Sequence, residues 1–349
     1  MQVQKISRFL NNKMLLKTLE KVSEHGSSFA AGTSLVMALG VRPLAILSTP
    51  DVEKENKQYA CANSICSGLI KFGMIEAVAL PVENAVKKID KNPDKYLKPL
   101  TVKLLKGGAS GLSESKSYKL AAQITKLGTG LITAIPKSVL TIALIPVIMD
   151  KLFNIKKNNE TVTVENNPDN IQIIKSKKIP FQGKGTEQLA KGIGKIFDNK
   201  TVRQFVIKHA DEEKNIAKHM TAATDILLTA SAAYQTNNSP NIKENRKKAL
   251  IYNNVLSTAI TLGFGYGIDK AIKNKTGNFI KRFAEVNRHD PKLHKYIEGI
   301  NIIRPALIFA GIYYGLLPVF STYIAEKIDK FIERNSLKTK DSELHQSVS

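Results

Sequence analysis

The segment "IIRPALIFAGIYYGLLPVFSTYIA", residues 302–325, decides the fold because it is almost free of charge; its one charged residue is Arg304. A second run, residues 127–149, also holds one charged residue, Lys137. About 20 predominantly apolar residues suffice to cross the hydrocarbon core of a bilayer as a helix. The chain of 349 residues around these runs has a formal net charge of +22. This combination predicts a helical membrane protein whose basic loops face anionic lipid.

Six apolar segments predict an all-α fold, a multi-pass transmembrane helical bundle. Small residues within them would let helix backbones approach closely. Two prolines in each of the third and sixth segments allow a broken or re-entrant helix. The mean hydropathy of −0.15 is low for a dense membrane bundle, and it leaves open a soluble or peripheral helical protein. The six segments are residues 29–47, 60–82, 120–153, 220–234, 249–268 and 300–324.

The order of apolar and polar stretches predicts five regions. A hairpin at residues 161–174, followed by two short helices, is expected inside the polar insertion. The regions are an amphipathic basic N-terminal helix (1–25), a first helical membrane repeat (26–153), the polar insertion (154–216), a second helical membrane repeat (217–333) and a disordered polar tail (334–349).

A weak sequence match predicts an internal duplication that would relate the two membrane repeats. Residues 48–73 resemble residues 238–263 at an offset of 190 positions, and each copy lies between two apolar runs. The arrangement predicts three helices plus three helices, a layout that many transporters build from inverted repeats. The identical pairs are Pro50/Pro240, Lys57/Lys247, Asn63/Asn253, Ser67/Ser257 and Gly73/Gly263.

The distribution of Lys and Arg bears on topology. If all six segments cross the membrane fully, the two sides carry 23 and 24 basic residues, so there is no positive-inside bias. If the third and sixth segments each enter and leave on one side, the division becomes 41 against 6. We favour an arrangement in which the short turns at 48–58 and 237–248 face away from the cytoplasm.

Ionisable residues inside the apolar segments are the best candidates for a functional site, because burying an unpaired charge is costly. One interpretation is a polar substrate path lined by these side chains. The alternative is that they pair between helices or extend toward the membrane surface. The candidates are Arg42, Lys71, Glu76, Lys137, Asp225 and Arg304.

Signals for catalysis are weak. The chain contains no P-loop, no Gly-x-Ser-x-Gly elbow, no dinucleotide fingerprint and no His-Glu-x-x-His motif. The two cysteines, Cys61 and Cys66, are five residues apart in an apolar segment and are interpreted as small buried hydrophobes. We therefore expect a protein that is not an enzyme, without cofactor or metal.

The expected partners are membrane lipids, chiefly anionic head groups, and a protein that docks on residues 154–216. Specific nucleic-acid recognition is not expected, because the charge is spread over every loop and Arg, which reads bases, is scarce. The oligomeric state stays open. The Lys- and Asn-rich composition favours the inner membrane of a bacterium.

Three functions remain open at this point. The first is a transport-type or scaffold bundle in the membrane, in which the internal charges meet in a polar cavity. The second is a membrane-anchored interaction protein, in which those charges pair off. The third is a soluble or peripheral helical protein that binds acidic membrane surfaces and buries its apolar segments against one another.

Overall fold

The structure, a computed structural model, describes residues 10–49, 54–153, 184–238 and 244–318 and is helical throughout, with no strand in those ranges. The all-α prediction is confirmed for this part of the chain. The hairpin expected at 161–174 and the tail at 334–349 lie outside the described residues.

The described chain forms eleven α-helical elements, of which two contain a π turn, at Met37–Val41 and Gly311–Leu316. Short 3₁₀ turns, Leu112–Glu114 and Ala210–Lys214, precede the sixth and ninth helices. The helices are α1 (Lys13–Glu24), α2 (Gly26–Leu47), α3 (Lys54–Lys91), α4 (Pro93–Tyr96), α5 (Pro99–Lys106), α6 (Lys116–Phe153), α7 (Lys184–Asp198), α8 (Lys200–Lys208), α9 (Ile216–Asn237), α10 (Glu244–Val286) and α11 (Leu293–Leu316).

The N-terminal amphipathic helix is present as α1, and it packs against the rest of the bundle. Asn12 caps its first turn by accepting a hydrogen bond from the backbone N–H of Met14 at 2.8 Å. Its apolar face buries Leu16 and Leu19 in a cluster with Tyr296 and Phe283. The predicted basic helix therefore covers α10 and α11.

The molecule has two halves of different surface character. The first half consists of α2 and of the parts of the other long helices that lie alongside it, and we call it "the apolar half". The rest of the described chain is called "the polar half". α3 and α6 each have 38 residues, which is about 57 Å at 1.5 Å per residue, so both helices pass through both halves. The apolar half comprises residues 26–47, 54–80, 127–153, 219–237, 244–268 and 302–318.

The polar half has its own hydrophobic core and carries the basic linkers. One cluster joins the end of α3 to α5, α6, α7 and α8 around Ile89, Tyr118 and Phe197. The linkers at residues 87–119 and 270–295 both lie at this end. The cations of the described chain are therefore concentrated on one side of the apolar half.

The long helices run in a regular sequence of directions. α2 runs out from the polar half and α3 returns, since the Ser64 hydroxyl donates to the carbonyl of Ala38 while Lys87 reaches Glu24. α6 and α9 run side by side in the same direction, and Gly130 faces Thr224 between them. The starts of α2 and α9 meet at one cluster around Ile302.

α10 returns beside α9, since Lys218 contacts Asp269 and Thr229 contacts Thr258, and α11 runs out again from Lys295 beside Glu24 to Tyr313 beside Arg42. The first set, α2, α3 and α6, and the second set, α9, α10 and α11, therefore run in the same direction. α9, Ile216–Asn237, also has the bounds of α2, Gly26–Leu47, shifted by 190 residues, the offset of the sequence match.

Candidate functional site: a charged cluster in the apolar half

Three helices in the described chain are long and apolar enough to cross a membrane, judged by length and composition: Gly26–Leu47, Ala60–Lys91 and Leu293–Leu316. They contain the first and second predicted segments and residues 300–316 of the sixth. Protein covers little of Gly26–Leu47 and Ala60–Lys91, since only 11% and 17% of the residues in their most apolar 18-residue stretches are buried. These helices therefore present apolar surface to the surroundings.

Large apolar side chains are exposed all around the apolar half. Val36 and Leu44 on α2 are 68% and 69% exposed, and Ile132 on α6 is 70% exposed. An extended exposed apolar surface of this kind marks contact with lipid or with another protein. Further exposed members are Leu39, Leu47, Leu69, Ile135, Val139, Ile226, Leu250, Val255, Phe264 and Leu307.

A layer of paired charges separates this surface from the polar half. Glu24, at the end of α1, accepts hydrogen bonds from Lys87 at 2.6 Å and from Lys295 at 2.9 Å. Burial raises the pKa of Glu24, but the two lysines outweigh burial and lower the pKa from 4.5 to about 2. Glu24 is therefore ionised at neutral pH and joins α1, α3 and α11.

A second carboxylate in this layer fixes the bend between α1 and α2. Glu83 is fully buried and accepts hydrogen bonds from the backbone N–H groups of Ser27 and Ser28 at 2.8 and 3.1 Å. The Ser28 hydroxyl also donates to it, and His25 Nδ1 lies 3.1 Å away. Glu83 thus satisfies the otherwise unpaired first amides of α2, a role that helix starts normally give to a local side chain.

Lys126 is the central cation of the layer. It is 5% exposed, donates to the carbonyl of Ser23 at 2.6 Å and lies 3.3 Å from Glu298. The Ser23 hydroxyl donates to the other oxygen of Glu298. Each charge here therefore has its partners, which is what keeps a buried ion pair from being destabilising.

Arg304, one of the predicted site residues, belongs to an ion-pair triad of its own. Its Nε lies 2.8 Å from Oδ1 of the buried Asp269, in the geometry of an ion pair and not of a hydrogen bond. The other oxygen of Asp269 accepts a hydrogen bond from Lys218 at 2.7 Å. The pairing interpretation therefore describes Arg304.

The triad forms the floor of a large groove in the polar half. The groove has a volume of about 1580 Å³ and lies between α9, α10 and α11. Its walls carry eight Lys and Arg residues against five Asp and Glu residues. The potential inside it is therefore positive and favours anions.

Glu76, another predicted site residue, lies apart from the triad. It is near Ser28, Glu83 and His25 at the boundary between the two halves. Its buried Oε1 has no hydrogen-bond partner within the described part of the chain. Glu76 therefore extends the charged layer toward the apolar half.

The other four predicted residues come together in the apolar half. Lys137 on α6 is 4% exposed, and the charges of Lys71 on α3 and Asp225 on α9 both act on it. The guanidinium carbon of Arg42 on α2 lies 5.3 Å from the ring centre of Tyr313 on α11, and this Tyr also feels the charge of Lys71. We call these five side chains the deep cluster.

The deep cluster is unbalanced in charge. It holds three cations and one carboxylate, surrounded by helix surfaces rich in Ile, Leu and Val. Among the described residues, Lys137 and Asp225 make neither a hydrogen bond nor an ion pair with any side chain. A buried ammonium without a close counter-charge is costly, so this geometry is suited to a ligand of negative charge.

The sequence pointed to four members of the deep cluster and missed Tyr313. Tyr is common at helix edges, so nothing in the pattern distinguished this one. It also missed Glu83, Asp269 and Glu298, because each stands at the edge of a segment, where charges are ordinary.

Comparison with protein-family models, with curated proteins and with solved structures gives no match for this chain.

Proposed function

We propose that the chain is a multi-pass membrane protein of transport type and not an enzyme. Its apolar half lies in the bilayer of a bacterial inner membrane, and its polar half lies on the cytoplasmic face. The observation that carries the proposal is the exposed apolar surface that surrounds an unbalanced charge cluster with buried Lys137 in it. A soluble bundle would bury those side chains, whereas lipid covers them at no cost.

The position of the basic residues supports the orientation. The linkers at 87–119, 184–218 and 270–295 carry most of the Lys and Arg of the described chain and lie together in the polar half. The cytoplasmic leaflet is anionic and attracts such segments by about 1 kcal/mol per cation near the surface. Anionic lipid head groups are accordingly the proposed partners.

The start of α7 supports the one-sided arrangement of the third segment. α6 begins at Lys116 in the polar half, and α7, beginning at Lys184, packs on α3 in the same half. The starts of α6 and α7 thus lie on one side, although α6 itself is one unbroken helix that passes through both halves. The division of 41 basic residues against 6 also requires the sixth segment to return, and the end of that segment lies outside the described residues.

The shared direction and bounds of α2 and α9 support the three-plus-three repeat. We propose that the repeat is real and parallel, with a pseudo-twofold axis along the membrane normal. The deep cluster then lies where α2 and α3 of the first set meet α9 and α11 of the second. Substrate sites of transporters lie at repeat interfaces of this kind.

The test is membrane fractionation of the full chain, with an alkaline carbonate wash followed by detergent extraction. We expect the protein to stay in the washed pellet and to require detergent. Release by carbonate, or recovery in the soluble fraction, would overturn the membrane proposal and leave the peripheral helical protein.

A second candidate, a membrane-anchored interaction protein, is favoured by the surface of α7 and α8. Ile196 and Phe205 in the polar half are 53% and 52% exposed, and both lie in the insertion expected to dock a protein partner. The two candidate functions are distinguished by substitutions at different residues. Lys71→Leu, with membrane insertion intact, should abolish activity in a transporter, and Phe205→Lys should do so in a docking protein.

A further inference from the structure

The deep cluster is built from one side chain of each of five helices. Arg42, Lys71, Lys137, Asp225 and Tyr313 come from α2, α3, α6, α9 and α11. Charges on the surface of a bundle are usually scattered and solvated. Convergence of five separate elements around buried Lys137, with the other four side chains half-buried, is instead the arrangement of a ligand site between helices.

The backbone around the cluster is irregular on two sides. The π turn Met37–Val41 leads directly into Arg42, and the π turn Gly311–Leu316 contains Tyr313. The two turns pack on each other through Ala38 and Tyr314. Single π turns inside α-helices occur frequently at functional sites, since they redirect side chains and release backbone groups.

Lys137 is the side chain of the cluster that points most clearly to a ligand of negative charge. It is 96% buried, and nothing in the described chain donates to it, accepts from it or forms an ion pair with it. Lys126 is equally buried on the same helix, and it has a carboxylate and a carbonyl as partners. The chain therefore pairs its buried lysines where it uses them structurally, and it leaves Lys137 without a counter-charge.

The geometry points to an oxyanion-binding site in the deep cluster, in which Lys71, Lys137 and Arg42 hold a small anion of the phosphate class. This inference rests on the proposed function and specifies its substrate class. The three cations supply only donors, and the Tyr313 hydroxyl adds one more, so a ligand rich in acceptor oxygens fits the cluster. Asp225 is the one acceptor, and the hydroxyl of hydrogen phosphate matches it.

The groove of the polar half and the deep cluster share two helices, α9 and α11, although none of the five cluster side chains lines the groove. Lys218, on the floor of the groove, precedes Asp225 by seven residues on α9, which is about 10 Å along a helix. The excess of cations in the groove raises the local concentration of anions.

The experiment is equilibrium binding of radiolabelled inorganic phosphate to the full chain, purified in detergent and stripped of lipid. We expect Lys137→Met and Lys71→Met to weaken binding about tenfold or more, the usual effect of losing a hydrogen bond to a charged group. Lys116→Met, which removes an exposed lysine of the same helix, should leave binding unchanged. Asp225→Asn should tighten binding several-fold, because it removes the only negative charge facing the anion and keeps a side-chain oxygen that accepts from the phosphate hydroxyl.

The opposite effects on phosphate affinity, tighter for Asp225→Asn and weaker for Lys137→Met, distinguish a ligand site from an internal ion-pair network. If Asp225→Asn and Lys137→Met weaken binding alike, or if all variants bind as the wild type does, the proposal is wrong. Half-buried Lys71 serves as the test position if Lys137→Met does not give a monodisperse protein. No phosphate binding by the wild type, either free or as a lipid head group, would also overturn the proposal.

A second arm identifies the source of the anion. Native mass spectrometry after mild extraction, and competition between phosphate and phosphatidylglycerol in nanodiscs, report whether a phospholipid head group occupies the site. Free phosphate binding that lipid does not displace indicates a soluble anion. The carbonate wash is independent of both arms, so failure of the membrane proposal and failure of the anion site are separate results.

Discussion

Two lysines of one helix show how the fold uses charge at the level of single residues. Lys126 and Lys137 lie three turns apart on α6 and are both almost fully buried. Lys126 holds Glu298 and the end of α1, whereas Lys137 faces Lys71 and Asp225 without contact. The sequence marked Lys137 as a lone charge in an apolar run, but it could not separate these two roles, because the partners lie on other helices.

Glu83 provides the residue-scale prediction. Glu83→Ala removes the acceptor of two backbone amides and one hydroxyl, and it leaves His25 without its carboxylate. We expect the variant to lose roughly 3 kcal/mol of stability, the scale of breaking a buried charged network. Thermal unfolding in detergent measures this loss of stability, with Asn84→Ala at the exposed neighbouring position as the control. Equal melting temperatures for wild type and both variants would contradict the assigned cap.

At the level of elements, two close approaches decide how the helices fit. A Cβ added to Gly299 on α11 would lie 2.3 Å from the carbonyl oxygen of Leu19 on α1, and one added to Gly68 on α3 would lie 2.7 Å from Cβ of Ala38. The sequence predicted close packing by small residues in general. Which glycines are essential was decided by the crossing points of the helices, which the pattern does not contain.

Gly299 gives the element-scale prediction. Gly299→Ala should push α1 away from α11, because the carbonyl of Leu19 belongs to the backbone and cannot move aside cheaply. We expect faster hydrogen exchange in α1 and a lower melting temperature. Gly277→Ala on α10 is the matched control, since a Cβ there meets nothing within 4 Å and a helix interior gains about 0.5–1 kcal/mol from the change. Unchanged exchange in α1 of the Gly299 variant would show that the approach is not tight.

At the level of the whole molecule, the polar and apolar halves define an axis with distinct ends. The ends of α2 and α9, at Leu47 and Asn237, lie at the apolar end, opposite the basic linkers. The sequence favoured this orientation from the count of Lys and Arg. The common direction of the two helix sets could not be read from the sequence match at an offset of 190, since parallel and inverted arrangements would share the same sequence similarity.

Sidedness is the prediction at this scale. In a chain with Cys61 and Cys66 replaced by Ala, Ser48→Cys and Asn238→Cys should react with a membrane-impermeant maleimide in intact cells. Lys103→Cys, exposed in the polar half, should react only after permeabilisation. All three residues are exposed, so a difference in labelling reports position relative to the membrane. Labelling of Lys103→Cys together with Ser48→Cys in intact cells would contradict the orientation.

The sequence by itself determined the helical class, the amphipathic α1, the bounds of the apolar runs and the identity of most charges inside them. These properties depend on local composition and periodicity, which each segment carries on its own. Only the tertiary structure decided that Arg304 pairs with Asp269, that Glu83 caps α2 and that Lys71, Lys137 and Asp225 meet. These placements join residues that are 35 to 154 positions apart in the sequence, and helix directions and crossing points set them. A charge in an apolar run is therefore visible in the sequence, whereas its partner, or the lack of one, depends on how the helices pack.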